Sequence, residues 1–312
     1  MNILITGGCG YVGTKLTEAV LFRTGHHVTV LDAQWFGNHL PSHPRLTVWA
    51  MDIRKIDDVD LSPFDTVFHL ANIANDPCVD LNPYSSWEVN VLAGMRLIDR
   101  AARQGAKQFI FASSSSVYGL KAEPRVTEEL DLFPLSEYNK TKMVAERVVM
   151  SYAGAMTTTV IRPATVCGYS PRMRLDLTVN LLTMQALTRG AITVFGGEQT
   201  RPNIHIDDLV DLYLFAFERR LAGVYNAGFE NLKVRDIASM ITDRVPAEVQ
   251  VLPSNDPRSY AVCSDRLLAT GFAPAKNVAT AIGEMVAAYR DGRLKDEPDW
   301  YNVNWMKQHH LG

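Results

Sequence analysis

Cysteine is scarce in this chain, and what there is does not cluster. Among 312 residues only Cys9, Cys78, Cys167 and Cys263 occur, with no C-x-x-C pair and no Cys/His spacing suited to a metal. They read as reduced, mostly buried thiols of a cytosolic protein, and no metal site is expected. An excess of one charge sign is also missing. The 31 Lys and Arg residues nearly balance 34 Asp and Glu, for a net charge of -3, so there is no basic field to hold nucleic acid or an acidic membrane, and neither partner is expected. No apolar run reaches membrane-spanning length, and no basic, apolar leader precedes the first strand. A cytoplasmic protein is expected. Internal repeats and low-complexity tracts are lacking too. What is abundant is core material: 47% of the residues are hydrophobic, and the length suits a nucleotide-binding domain with a smaller appended lobe.

The first twenty residues organise the rest. Asn2-Ile3-Leu4-Ile5-Thr6 is an uncharged apolar run that leads into Gly7-Gly8-Cys9-Gly10-Tyr11-Val12-Gly13 and then an amphipathic segment. This reads as strand, glycine turn, helix. Gly7, Gly10 and Gly13 at G-x-x-G-x-x-G spacing let the backbone turn tightly, approach a pyrophosphate and pack the new helix on the sheet. The anion then sits at the helix N-terminus. Val28 to Leu31 is a second strand, ending in Asp32 about twenty residues past the turn, where a ribose-binding acid belongs. Its carboxylate would accept from a 2′-hydroxyl and repel a 2′-phosphate, which favours NAD over NADP.

Further strands are expected at Leu46 to Ala50, Thr66 to Ala71, Lys107 to Ala112 and Thr158 to Pro163, with helices at Tyr84 to Gln104 and Glu137 to Ala153 between them. Asp52, with Ile53, follows the third strand and could either reach the adenine amino group or cap a helix. The alternation predicts an α/β fold, a doubly wound parallel Rossmann sheet, over residues 1–165. Residues 166–312 are expected to form mainly a smaller, discontinuous α/β substrate lobe, with segments near 200–225 returning to the first domain. In that part Leu175 to Arg189, His205 to Arg219 and Val234 to Val245 read as helices, and Ile192 to Phe195, Val224 to Ala227 and Glu248 to Leu252 as strands. His205 reads as a core or cap residue and Asp207-Asp208 as a helix start.

Tyr138-Asn139-Lys140-Thr141-Lys142 sets a phenol and an ammonium at i and i+4 on one helix face. A nearby Lys⁺ is expected to lower the tyrosine pKa toward neutrality and give a usable acid/base. Alone the pattern is common. Here a dinucleotide turn precedes it, and Ser113-Ser114-Ser115-Ser116 leaves the carboxyl end of a strand, where ligands bind in such sheets. Ser114 could hydrogen-bond the reacting oxygen while Tyr138 moves its proton and nicotinamide takes or gives hydride.

These elements, with His69-Leu70-Ala71, Val117-Tyr118-Gly119, Arg162-Pro163 and Ile204-His205-Ile206-Asp207-Asp208, resemble the extended short-chain dehydrogenase/reductases that act on nucleotide-sugars. The resemblance runs from residue 2 to about residue 272. It implies Ser114, Tyr138 and Lys142 as catalytic residues, with Lys142 also holding the nicotinamide ribose. It implies that Leu70, Ala71, Ala112 and Pro163 line the cofactor cleft, although each also suits a plain core. Two departures narrow the reaction. The family's dehydratases carry Asp-Glu directly after the catalytic Thr, and its 3,5-epimerases carry Cys two places after the Ser. This chain has Ser115 and Ser116, which then face substrate. The family's usual Asn after Arg-Pro-x is Thr165. Tyr169 to Asn180 resembles a subset that includes GDP-heptose 4-dehydrogenases. Arg172, Arg174 and Arg201 lie where the family recognises diphosphate and base, with Arg258 and Asn180 as further candidates. A planar guanidinium suits phosphate, and equally a surface ion pair.

The expected function is therefore NAD-dependent oxidoreduction of a nucleotide-diphosphate sugar, at C4, as an epimerase. A 4-dehydrogenase or a keto-sugar reductase is the alternative. A redox-sensing module without catalysis would be expected to lack the Tyr/Lys pair. In the family, the two helices at Tyr84 to Gln104 and Glu137 to Ala153 pair with their copies across a two-fold axis, so a homodimer is expected.

Overall fold

A computed structural model describes residues 1–254 and 259–309. Twelve strands occur among them: β1 (Asn2–Thr6), β2 (His27–Asp32), β3 (Leu46–Ala50), β4 (Thr66–His69), β5 (Gln108–Ala112), β6 (Thr157–Pro163), β7 (Thr165–Cys167), β8 (Ala191–Phe195), β9 (Thr200–His205), β10 (Gly223–Ala227), β11 (Glu230–Lys233) and β12 (Glu248–Leu252). Seven of them form one parallel sheet in the order β10-β6-β5-β4-β1-β2-β3. Successive side chains of a strand point to opposite faces, and the core divides accordingly. Leu4, Val67, Phe109 and Val160 pack with Leu97, Ala101 and Val149 on one side. Ile3, Ile5, Phe68, Ile110 and Ile161 pack with Leu16, Leu212 and Tyr213 on the other. The strand order reverses between β1 and β4, and such a switch point opens a crevice at the carboxyl ends of the strands.

The smaller lobe holds β9 between β7 and antiparallel β11, together with the parallel pair β8 and β12. The helices Thr178–Arg189, Val234–Thr242 and Val278–Arg290 supply its core, built on Leu182, Ile237 and Ile282.

Several elements depart from expectation, the short strand β7 and the helix Val278–Arg290 among them. The fourth strand stops at His69, and Leu70 and Ala71 leave the sheet to cross the glycine turn. A Cβ at Gly7 would stand 2.5 Å from the Ala71 backbone nitrogen. Strands β9 and β11 were not expected, because Arg201, Pro202 and Asn203 interrupt the apolar pattern of one and Glu230 and Lys233 flank the other. The long helix is not continuous: Pro83–Trp87 and Gly94–Arg103 are α-helical, and Glu88–Ala93 between them is π-helical. Asn90, in that segment, is buried with its amide spent on Ile73 N, Ile73 O and Thr141 Oγ1 at 2.8 to 3.2 Å. A π turn is rare and occurs mostly as a single bulge of this kind inside an α-helix.

Candidate active site

The glycine turn is built by contact. A Cβ on Gly13 would lie 2.0 Å from Gly7 O, so no larger residue fits while the helix keeps its place. The helix Tyr11–Arg23 starts with no side-chain cap and no acid in its first turn, which leaves its first N–H groups to an external acceptor. Behind the turn, at the end of β2, Asp32 accepts from Cys9 N at 2.9 Å and Gln34 N at 2.7 Å. Burial raises its pKa, against those two hydrogen bonds and the charge of Arg172, which lower it. These features fit a dinucleotide: an uncapped helix start over a glycine cradle that a Cβ would fill, and a carboxylate one strand over.

A cavity of about 470 Å³ runs from this turn across the strand ends. Its walls bring together Gly7, Gly10, Tyr11, Val12, Gly13, Leu70, Ala112, Ser114, Ser115, Ser116, Tyr138, Lys142, Pro163, Thr165, Arg172, Arg174 and Arg201, from segments far apart in sequence. Ser114 Oγ lies 2.8 Å from Ser116 Oγ, and Ser116 donates to Asn139 Oδ1 at 2.6 Å. Tyr138 and Lys142 project from the helix Glu137–Ser151, whose cap, Ser136, accepts from Asn139 N at 3.2 Å and donates to Asp76 Oδ1 at 2.5 Å. One turn on, Glu146 accepts a bidentate pair from Arg162 and a hydrogen bond from Ser113 Oγ. That buried network ties the helix to β5 and β6.

The electrostatics of the pair differ from expectation. The Tyr138 phenol is pushed up to about 12, first by burial and also by Asp76, while Arg174 and the hydroxyl of Ser114 pull it down. Lys142 does not bring it toward neutrality. Its Nζ donates to Ala112 O at 2.6 Å and sits 5.9 Å from the Tyr138 ring centre, and burial lowers its own pKa to about 7. Burial works against the charged form of both groups.

Other candidates stand elsewhere or play another part. Asp52 caps the 3₁₀ turn Ile53–Asp58, accepting from Arg54 N at 2.8 Å and pairing with the Arg54 side chain, and Ile53 is buried in the core. That is the capping alternative for Asp52, and neither residue lines the cleft. Ala71 supports the glycine turn from behind. Asn180 is fully buried, accepting from Gly168 N and donating to Tyr11 Oη and Arg174 O at 3.0 to 3.1 Å. Its amide is committed to the Gly168 to Arg174 strap, and Asn180 does not stand among the cleft walls. Arg174 makes a bidentate pair with Asp176, at 3.1 and 3.0 Å. Arg258 lies outside the described residues. His205 caps the helix Ile206–Arg219 through Asp207 N at 3.0 Å. Together with Asp207 and Glu284 it has the spacing of a metal set, but Lys276 Nζ already reaches both carboxylates at 2.6 Å.

The cleft also contains residues that sequence reading passed over: Phe36, Asn75, Asp76, Asp176 and Asn302. Asn75-Asp76-Pro77 matches no catalytic motif. Its place just past the carboxyl end of β4 was the available signal, and Asn75 has a left-handed φ of 76° while donating to Asp176 at 2.7 Å. Strain of that kind gathers at functional sites.

Comparison with known proteins agrees with this geometry. A UDP-glucose 4-epimerase of Corynebacterium glutamicum is 28% identical over 295 residues, 85% of this chain and 88% of that protein. An uncharacterized UDP-glucose epimerase of Bacillus subtilis, YtcB, is 30% identical over 263 residues, 78% of this chain and 82% of that one. A solved UDP-glucuronic acid 4-epimerase from Bacillus cereus, in complex with UDP-glucuronic acid and NAD, is 27% identical with a TM-score of 0.80, covering 93% of this chain and 99% of that one. The model of the NAD dependent epimerase/dehydratase family matches residues 3–228, and the chain belongs to that family.

Proposed function

We propose that this chain is an NAD-dependent oxidoreductase of a nucleotide-diphosphate sugar that epimerises it at C4. The observation that carries the reading is the convergence of Ser114, Tyr138 and Lys142 on one cavity with the glycine turn. NAD, when bound, would supply the hydride acceptor and donor. The chain's residues do the rest. Gly7 to Gly13 hold the pyrophosphate, Asp32 holds the adenine ribose and disfavours a 2′-phosphate, and Lys142 anchors the other ribose. Tyr138 takes the proton of the reacting hydroxyl and returns it, while Ser114 keeps that oxygen in place. Leu70, Ala112 and Pro163 wall the cofactor, and Ser115, Ser116, Thr165, Arg174 and Arg201 face the substrate. Arg174 is drawn to the reaction end by Asp176.

Replacement Tyr138→Phe removes the transferable proton and little else, so turnover should fall by about 100- to 10,000-fold with NAD affinity retained. A variant keeping more than about a third of wild-type kcat would refute the role. Net consumption of added NADH in proportion to product would replace epimerisation by reduction.

The assembly is proposed to be a homodimer through the helices around Gly94–Arg103 and Glu137–Ser151. Leu92 and Met95 there are 43% and 41% exposed and Tyr84 is 75% exposed, more apolar surface than a lone helix face needs. Light scattering that gives a stable 34.7 kDa particle at micromolar concentration would exclude it. No described helix is long and apolar enough to cross a membrane, and the four cysteines are free and buried, which supports a reducing compartment, the cytoplasm.

A further inference from the structure

Arg172 is the largest fully buried side chain among the described residues, and its charge meets no carboxylate at ion-pair distance among them. Nη1 donates to Met173 O at 2.8 Å, Nη2 donates to Asn302 Oδ1 at 2.6 Å, and the guanidinium lies 4.0 Å over the Phe36 ring. Nε is buried with no acceptor among the described residues. A guanidinium so placed is costly unless an anion compensates it. Burial and the neighbouring Arg174 together bring its pKa down to about 9.

Two anions are available to the cleft under the proposed function, on which this inference rests: the pyrophosphate of the dinucleotide and the diphosphate of the sugar nucleotide. The surroundings favour the first. Arg172 belongs to a strap docked on the first turn of the helix Tyr11–Arg23, where Ser170 Oγ donates to Tyr11 O at 2.8 Å and Tyr11 Oη donates to Gly168 O at 2.7 Å. That turn is the anion-attracting helix start. The guanidinium also feels the charge of Asp32, and its stacking partner Phe36 follows β2; both belong to the adenosine end. The Tyr138 phenol, at the reaction end, feels Arg174 instead.

We propose that Arg172 is a pyrophosphate ligand for the dinucleotide, held in readiness by Phe36 and Asn302, so that the C-terminal helix Asn302–Gln308 is part of the cofactor site. Asn302 is then a positioning residue: it touches the guanidinium and fixes its fork. Trp305 of the same helix stacks with Trp35 and packs on Phe36, at 6.1 and 4.7 Å between ring centres, which locks the helix to the loop after β2.

The test compares ADP with adenosine on nucleotide-stripped protein, by calorimetry and by competition, because only ADP carries the pyrophosphate. Arg172→Gln should weaken ADP at least about tenfold, the scale of one charge-assisted hydrogen bond, and leave adenosine unchanged. Asn302→Ala should weaken ADP several-fold with the same selectivity, and at saturating NAD neither should raise KM for the nucleotide-sugar. An equal loss for ADP and adenosine would make Arg172 a scaffold residue and overturn the proposal. Unchanged ADP affinity with a raised KM would overturn it in favour of the sugar diphosphate. Should Arg172→Gln fail to fold, Asn302→Ala decides, and unchanged ADP affinity in it overturns the proposal. Wild-type protein that binds neither ligand would sink the dinucleotide reading itself, whereas failure in the variants alone sinks only the role of Arg172.

Discussion

Arg172 and Arg174 stand two residues apart on one strap, and their surroundings have little in common. Arg174 has a bidentate carboxylate partner in Asp176, and its pKa is raised on that account, by Asp176 against its own burial. Arg172 has an amide, a carbonyl and an aromatic face, and its pKa is lowered, by burial first. The first arrangement is already neutral and can recognise by shape, exchanging or sharing its partner with a polar sugar. The second is an uncompensated charge, and it gains most from a permanent anion. Identical side chains two residues apart thus line one cleft in different states of compensation, and the carboxylate supply decides which.

Three experiments test that division. The largest effect is expected from Gly13→Ala. Its Cβ would meet Gly7 O at 2.0 Å and Gly8 Cα at 2.8 Å, backbone atoms that cannot swing aside. Nucleotide affinity should drop by more than about 100-fold, roughly 2.7 kcal/mol, with the circular dichroism spectrum kept. Wild-type affinity in this variant would remove the cofactor end from the glycine turn. Next comes Arg174→Ala, expected to raise KM for the nucleotide-sugar by about tenfold or more, the value of a hydrogen bond to a charged group, while NAD affinity stays within experimental error. An unchanged KM would move substrate recognition toward Arg201.

The smallest effect concerns a third buried cation, Lys142, which differs from both arginines by giving up its proton. Its pKa is about 7 in the folded chain and 10.5 in the ordinary case, with burial as the main cause. Between those values the unfolded chain binds more protons, so the ligand-free fold should gain stability as pH rises from 7 toward 10.5 and lose it as pH falls through that window. The slope should approach but not exceed about 1.4 kcal/mol per pH unit. Lys142→Met should flatten it in urea titrations at pH 7, 8 and 9. An equal slope in the variant would assign the effect to another group.

Much of this is legible in the sequence, and the reason is locality. The strand, glycine turn and helix of residues 2–23 depend on neighbours in sequence, as does the i, i+4 relation of Tyr138 and Lys142. What escaped was decided at long range. Asn180 has a residue type suited to a ligand, but its partners are Tyr11 and Gly168, 169 and 12 residues away. Asp52 reads in sequence as either an adenine contact or a cap, and it caps the next turn while pairing with Arg54. The phenol of Tyr138 carried an expectation drawn from Lys142 alone, whereas burial, which no spacing reports, outweighs every charge around it. Asn302 lies 130 residues from the arginine it holds.

The π-helical stretch Glu88–Ala93 has a meaning in the language of insertions and deletions. A π turn takes in about one residue more than an α turn, so the stretch is equivalent to one extra residue lodged inside a helix. Deleting one residue there would let an unbroken α helix form with its two ends in nearly the same relative rotation, whereas the same deletion within Gly94–Arg103 would turn everything beyond it by about 100°. Gly94 would then keep its place against His69, where a Cβ would stand 2.9 Å from Nε2, while Asn90 would lose Ile73 or Thr141. The extra residue is therefore held by Asn90 and its partners rather than by the contacts at the ends of the helix.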